Sequence, residues 1–180
     1  MIKKDLSVSI KLLGLGGQGV VTAASILARA AFKDGYWSQA MPFFGVERTG
    51  TPVEAYVRID QKPIRNRQKL DQPDILLINE AKLLTNKEIG QQLTIVNQPK
   101  DTQINKSQTI YYDSRSISLT KLGKDLAIGL LGGLAASWPQ ISRQAWLEAL
   151  TEHFNDEVLA KVNIEVFQDN FDLVDKIIKH

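Results

Sequence analysis

Ser7-Val8-Ser9-Ile10-Lys11-Leu12-Leu13-Gly14-Leu15-Gly16-Gly17-Gln18-Gly19 is the stretch from which the fold can be read. Ser7 to Leu13 is β-rich and stops at a glycine cluster, which predicts a first strand. From Gln18 to Asp34, Val20, Val21, Ala24, Leu27, Ala28 and Ala31 recur at helical spacing. Thr22, Ser25, Arg29 and Lys33 form the opposite polar stripe, and Gly35 supplies the helix stop. Gly14 to Gly19 fits G-x-G-x-x-G between a strand and a helix. Glycines allow the tight turn, and the free N–H groups of the helix start can face an anion. The rest of a dinucleotide fingerprint is missing. An acid for the ribose is expected about 20 residues on, at the end of the second strand, but that strand closes Ser38-Gln39-Ala40-Met41-Pro42. No Gly-Lys-Ser/Thr follows, so it is not a P-loop either. Two readings stay open: a nucleotide-binding turn, or a tight turn packed against a neighbour.

Outward from that unit, strands alternate with helices and then helices continue alone. Tyr36 to Met41 reads as a short strand ended by Pro42, and Phe43 to Pro52 as a structured loop. Val53, Ala55, Val57 and Ile59 alternate with Glu54, Tyr56 and Arg58 in strand period. Asp74 to Asn79 is a short apolar run of the kind buried on both faces of a parallel sheet. Ala81 to Ile89 predicts a short helix. Leu93 to Asn97 and Thr109 to Tyr112 predict strands, separated by a polar turn around Pro99 to Lys106. Helix follows from Leu122 to Trp138, and again from Arg143 to Phe154 with Ser142 as N-cap. A last helix places Phe167, Phe171, Val174 and Ile178 on one face. The pattern implies an α/β fold: a three-layer α/β/α sandwich on a mostly parallel or mixed sheet, with a Rossmann-like glycine turn after strand 1 and a helical C-terminus. At 180 residues the chain is read as one domain, 1–180, able to bury about 70% of its unfolded surface without a staple.

Composition removes most chemistries. Apolar residues make up 43% and charged residues 23%, the balance of a soluble globular chain, and the net charge is only +2. There is no cysteine, hence no thiolate nucleophile, zinc site, disulfide or cluster held by cysteines on this chain. The two histidines, His153 and His180, have no Ser–acid or metal-ligand arrangement near them in sequence and are read as non-catalytic. No signal peptide is expected at Met1 to Asp5. The apolar run Leu126 to Trp138 is too short to span a bilayer, so the chain is expected in the cytoplasm with no membrane partner. Trp138 and Trp146 read as core or interface anchors. Arg58, Lys62, Arg65, Arg67 and Lys69, opposed only by Asp60, form a basic stretch. It suits a solvated loop, a phosphate-bearing ligand or an acidic partner chain. No aromatic residue is interleaved, which argues against nucleic acid.

Three ordered motifs carry a resemblance. These are G-x-G-G-Q-G-V-x-T-A at Gly14 to Ala23, P-x-F-G-x-E-R at Pro42 to Arg48, and the following Gly50-Thr51-Pro52-Val53 with Arg58-Ile59-Asp60. The sequence resembles the gamma subunit, or domain III module, of the 2-oxoacid:ferredoxin oxidoreductases that act on pyruvate and 2-oxoisovalerate. Pro63-Ile64-Arg65, Gln72-Pro73-Asp74 and Leu131-Gly132-Gly133-Leu134 extend the likeness over nearly the whole chain. It departs at Thr49, where the family has a second arginine, at Val46, where proline is common, and at Ala127, where asparagine is common.

The resemblance implies a subunit that is not catalytic alone, within a complex that converts a 2-oxoacid and coenzyme A to an acyl-CoA by oxidative decarboxylation. Thiamine diphosphate and iron–sulfur clusters would lie on alpha, beta and delta-type partner chains, with ferredoxin engaged through the complex. This chain would contribute a contact with coenzyme A. By analogy Gly14, Gly16, Gly17, Gln18 and Gly19 would form the ligand or interface turn, and Glu47 and Arg48 would sit in the characteristic loop. The competing readings are a stand-alone nucleotide-binding or regulatory module, and a subunit of an indolepyruvate-type oxidoreductase.

Overall fold

A computed structural model describes residues 6–43, 50–68, 72–85, 89–98, 103–105, 108–124 and 126–179. The chain runs β1 (Ser7–Leu15), α1 (Val20–Lys33), β2 (Trp37–Phe43), β3 (Pro52–Asp60) and β4 (Ile75–Ile78). It continues through β5 (Leu93–Asn97), β6 (Gln103–Asn105), β7 (Thr109–Tyr112), α2 (Ser114–Leu122), α3 (Ile128–Ser137), α4 (Arg143–His153) and α5 (Glu157–Lys179). The strands form one mixed sheet in the order β2-β3-β1-β4-β5-β7-β6. β1 is the hinge between its two halves. It pairs antiparallel with β3, from Ser7 opposite Asp60 to Leu15 opposite Pro52, and parallel with β4, from Ile10 opposite Ile75 to Leu13 opposite Ile78.

The alternation of side chains along the strands sends two apolar sets to two faces. Ile10, Leu12, Val57, Ile59, Ile75, Leu77 and Ile95 face the helices and join α1, α3, α4 and α5 in one continuous core. Leu13, Leu76, Ile78 and Val96 face the other way, where Ala81, Leu83 and Leu84 cover them as a thin third layer. Lys11, which breaks the apolar run of β1, also lies on this second face and is 5% exposed. Its ammonium is 3.5 Å from the Glu54 carboxylate, to which the Tyr56 hydroxyl donates. Tyr56 lies directly across from Lys11 on β3. A charge in mid-strand is tolerated because its counter-charge comes from the neighbouring strand.

Five local expectations need revision. Of the helix expected over Ala81 to Ile89, the described residues show one 3₁₀ turn, at 81–83, and Leu84 is already extended with φ −68° and ψ 118°. The polar turn around Pro99 to Lys106 contains β6, which gets its order from pairing with β7 and not from an apolar pattern. Helix α2 lies in a stretch given no element from the sequence. Its signals were an end pair: the Asp113 carboxylate accepts from the Ser116 N–H at 2.9 Å, and Gly123 closes it with φ 65°. On α5 the buried stripe is Ala160, Asn163, Val166, Phe167, Asn170 and Val174, whereas Ile178 is 44% exposed. β2 also runs through Pro42 to Phe43, which is permitted because β2 is an edge strand.

Candidate functional site at the carboxyl edge of the sheet

Beyond Leu15 the chain turns through Gly16 to Gly19 into α1. Gly17 has φ 92° and Gly19, the N-cap of α1, has φ 68°. Both lie in the left-handed region that side chains disfavour. Gly14 serves close packing instead: a Cβ there would sit 2.6 Å from Val20 Cγ2. Gln18 is a brace. Its Oε1 accepts from the Leu15 N–H at 2.7 Å, its N–H donates to the Leu15 carbonyl at 3.0 Å, and its carbonyl accepts from the Ala127 N–H at 2.8 Å. Gly16 donates to the Thr51 carbonyl at 2.9 Å, tying the turn to the chain that follows residues 44–49. Glu47 and Arg48 lie outside the described residues.

The amino end of α1 has no side-chain cap and no acid in its first turn. Its orphan amides and positive dipole end therefore remain for an anion or water. The same edge carries the ends of two parallel strands. Asn79, fully buried after β4, donates its N–H to the Leu13 carbonyl at 2.8 Å. Asn97, at the end of β5, donates from Nδ2 to the Asn79 carbonyl at 3.1 Å and accepts at Oδ1 from the Arg115 N–H at 3.0 Å. Arg115 in turn pairs with Glu80 at 2.9 Å. The buried Asn79 Nδ2 finds no hydrogen-bond partner. Neither asparagine was singled out in the sequence; a polar residue closing an apolar run was the available signal. Ligands of open α/β sheets bind at this carboxyl edge, where connections leave in opposite directions. Here α1 crosses over β3 and β2 while β4 lies on the other side of β1.

The missing ribose acid has a structural reason. In a dinucleotide site the second strand lies parallel beside the first, but here β2 is at the sheet edge, antiparallel to β3 and not adjacent to β1. The glycine turn therefore lacks the second half of that pocket. His153 stacks edge-on against Phe154 at 5.1 Å. Burial, reinforced by the Arg29 charge, holds its imidazole below the ordinary value. His180 lies outside the described residues. Trp146 is fully packed, 5.5 Å from Phe167 between ring centroids, whereas Trp138 is half-buried. No group of three or more potential metal ligands occurs among the described residues, and no helix among them is long and apolar enough to cross a membrane. Residues 58–68 begin at the other end of β3, beside Ser7. Nine residues of strand put them roughly 25–30 Å from the glycine turn, so the two features do not converge on one ligand.

This is an α/β subunit-type fold that presents a glycine turn without a dinucleotide pocket behind it. Residues 9–173 match the family model of pyruvate ferredoxin/flavodoxin oxidoreductase. The pyruvate synthase subunit PorC of Methanothermobacter thermautotrophicus is 34% identical over 176 residues, 94% of this chain and 97% of that protein. The common gamma subunit of the Thermococcus kodakarensis pyruvate/ketoisovalerate oxidoreductases is 36% identical over 177 residues, covering 91% and 95%. The crystal structure of the Thermotoga maritima pyruvate oxidoreductase subunit PORC shares the fold with a TM-score of 0.77 at 22% identity, over 94% of this chain and 97% of that one. The chain belongs to the pyruvate ferredoxin/flavodoxin oxidoreductase family, and its full-length relatives there are gamma subunits.

Proposed function

We propose that this chain, a gamma-type subunit of a pyruvate-class 2-oxoacid:ferredoxin oxidoreductase, gives the assembled enzyme an anion-receiving turn rather than a reacting group. The observation that carries this is the uncapped amino end of α1, with Gly17 and Gly19 holding the backbone open before it. Coenzyme A is the ligand proposed, because its phosphates suit amides at a helix start. Gly14 and Gln18 shape the turn, while Gly16, Gly17 and Gly19 present backbone to the ligand. Glu47 and Arg48 are proposed as further ligand contacts, because Gly50 and Thr51, which follow them in the chain, hydrogen-bond to Gly16. Thiamine diphosphate, the iron–sulfur clusters and the 2-oxoacid site belong to the alpha, beta and delta-type chains, with ferredoxin as electron acceptor and the cytoplasm as the setting. Pyruvate and branched-chain 2-oxoacids are the substrates proposed.

The test uses the purified complex. Arg48→Ala is expected to raise KM for coenzyme A about tenfold, a loss of about 1.4 kcal/mol. The KM for the 2-oxoacid and the melting midpoint of the isolated chain should stay unchanged. Normal coenzyme A kinetics would remove the coenzyme A contact. Repeated isolation of the native chain as a lone monomer, without a thiamine-dependent partner, would remove the subunit role. Calorimetry showing that NAD, FAD or ATP binds the chain alone would favour a nucleotide-binding module instead.

A further inference from the structure

Five of the chain's 22 basic residues and one of its 20 acidic residues fall in positions 58–69, so this window carries +4 and the rest of the chain −2. The basic excess of the whole protein is therefore local. Several cations elsewhere are matched: Lys33 with Glu148 and Glu152, Arg115 with Glu80, Lys121 with Glu165 and Asp169, and Lys179 with Asp175. Lys161 and Lys176 on α5, by contrast, have no ion-pair partner among the described residues and stand apart from any local basic excess. Within the window, Arg65 and Arg67 are exposed and have no ion-pair partner among the described residues. Asp60, the single acid, is taken up by the Ser7 hydroxyl at 2.7 Å and the Lys62 N–H at 2.8 Å. These contacts, the Ser7 hydroxyl first, hold its carboxyl below the ordinary value.

The segment is also held in place. The Arg58 guanidinium, rooted in β3, donates to the carbonyls of Asn66 and Gln68. The Asn66 side chain accepts from the Gln68 N–H at 2.8 Å, and Pro63 fixes one backbone angle. A solvated loop needs none of this. A backbone pinned by one arginine so that two others point outward unpaired is preorganised for an opposite charge, and such a surface loses less entropy on docking. Arginine is favoured over lysine at protein interfaces because its planar fork meets carboxylates in pairs.

We propose that residues 58–68 form a cationic docking surface for an acidic face of another subunit of the same oxidoreductase, at the opposite end of the sheet from the glycine turn. The proposal rests on the gamma-subunit reading above. The test is the co-expressed complex carrying Arg65→Glu and Arg67→Glu, compared with Lys161→Glu and Lys176→Glu, an equal reversal at exposed unpaired sites on α5. The 65/67 variant is expected to lower recovery of the partner subunits about tenfold at physiological salt, since like charges across an interface oppose docking. The α5 variant should assemble as wild type, both isolated variants should melt as wild type, and wild-type assembly should weaken as salt rises. Equal assembly of the 65/67 variant and wild type at every salt concentration would overturn the docking surface and leave the subunit reading standing. Failure of the wild-type chain to assemble would overturn both. Recovery of nuclease-sensitive nucleic acid in place of a protein partner would overturn the docking surface.

Discussion

Gly14 and Gly17 stand three residues apart, yet the turn needs them for different reasons, and a double-mutant cycle separates these. Gly14→Ala places a methyl 2.6 Å from Val20 Cγ2, an overpacking expected to cost about 1–3 kcal/mol. Gly17→Ala meets no atom within 4 Å but must hold φ 92°, a backbone cost of about 1–2 kcal/mol. Adding Val20→Ala should return part of the Gly14→Ala loss in urea unfolding and none of the Gly17→Ala loss; equal coupling in both pairs would contradict this assignment. His153 gives a pH signature at the same scale. Its folded-state pKa is held below 6.5 by burial and then by Arg29, so the unfolded chain takes up the proton first as pH falls. Stability should decline as pH drops through 6.5 and level off below the folded value. His153→Gln should remove that component, and an unchanged slope in the variant would refute it. The Glu152 carboxyl, lowered mainly by Lys33, contributes its loss as pH falls from about 4.5 through its folded value.

Among the helices, α3 and α5 pack against one another most extensively. A Cβ on Gly132 would lie 2.2 Å from the Phe167 carbonyl oxygen and 2.9 Å from the Phe171 nitrogen. Backbone cannot move aside as a side-chain tip can, so Gly132→Ala should exceed the Gly14→Ala cost and reach about 3 kcal/mol or more; a shift in melting midpoint no larger than that of Gly14→Ala would show that the helices can separate. The sequence made α3 legible as a buried helix because its glycines interrupt an otherwise apolar run, and it made β1, α1, β5, β7 and α4 legible through periodicity and caps. What it hid has a common physical cause. β6 and α2 are polar, held by pairing with β7 and by the Asp113 cap. The face of α5 turns on Asn163 and Asn170, whose amides donate to carbonyls of their own helix, Leu159 and Val166, at 2.7 Å. Hydrophobic spacing cannot register a buried polar residue held by a bond to its own helix, and here the Oδ1 atoms of both asparagines find no hydrogen-bond partner among the described residues. At the candidate site the glycines could be read directly, while Asn79 and Asn97 emerged only once parallel pairing brought the ends of β4 and β5 together.

At the scale of the whole molecule, one core joins the antiparallel half of the sheet to the parallel half. Strand β1 pairs with both, and the same apolar cluster takes in α1 against β3 and α3, α4 and α5 against one another. The ion pairs of Lys33 with Glu148 and Glu152 link α1 to α4 on the surface, but exposed pairs of this kind contribute little, so cohesion must come from the buried contacts. Separating α4 and α5 from α1 and α3, on which they pack, would open the part of the core that holds Trp146, Leu150, Phe167 and Val174, all nearly inaccessible in the fold. Each side chain of that size costs about 1.5–3 kcal/mol to expose. A state with α4 and α5 detached is therefore expected to be unpopulated, and residues 6–179 should unfold as one unit. Trp146, packed on Phe167, supplies a probe for the helical side, and far-UV circular dichroism reports the sheet and helices together. Their urea transitions should coincide in midpoint and slope for the isolated chain. An earlier midpoint for tryptophan fluorescence that persists in Trp37→Phe and Trp138→Phe backgrounds would mean that α4 and α5 part from α1 and α3 first.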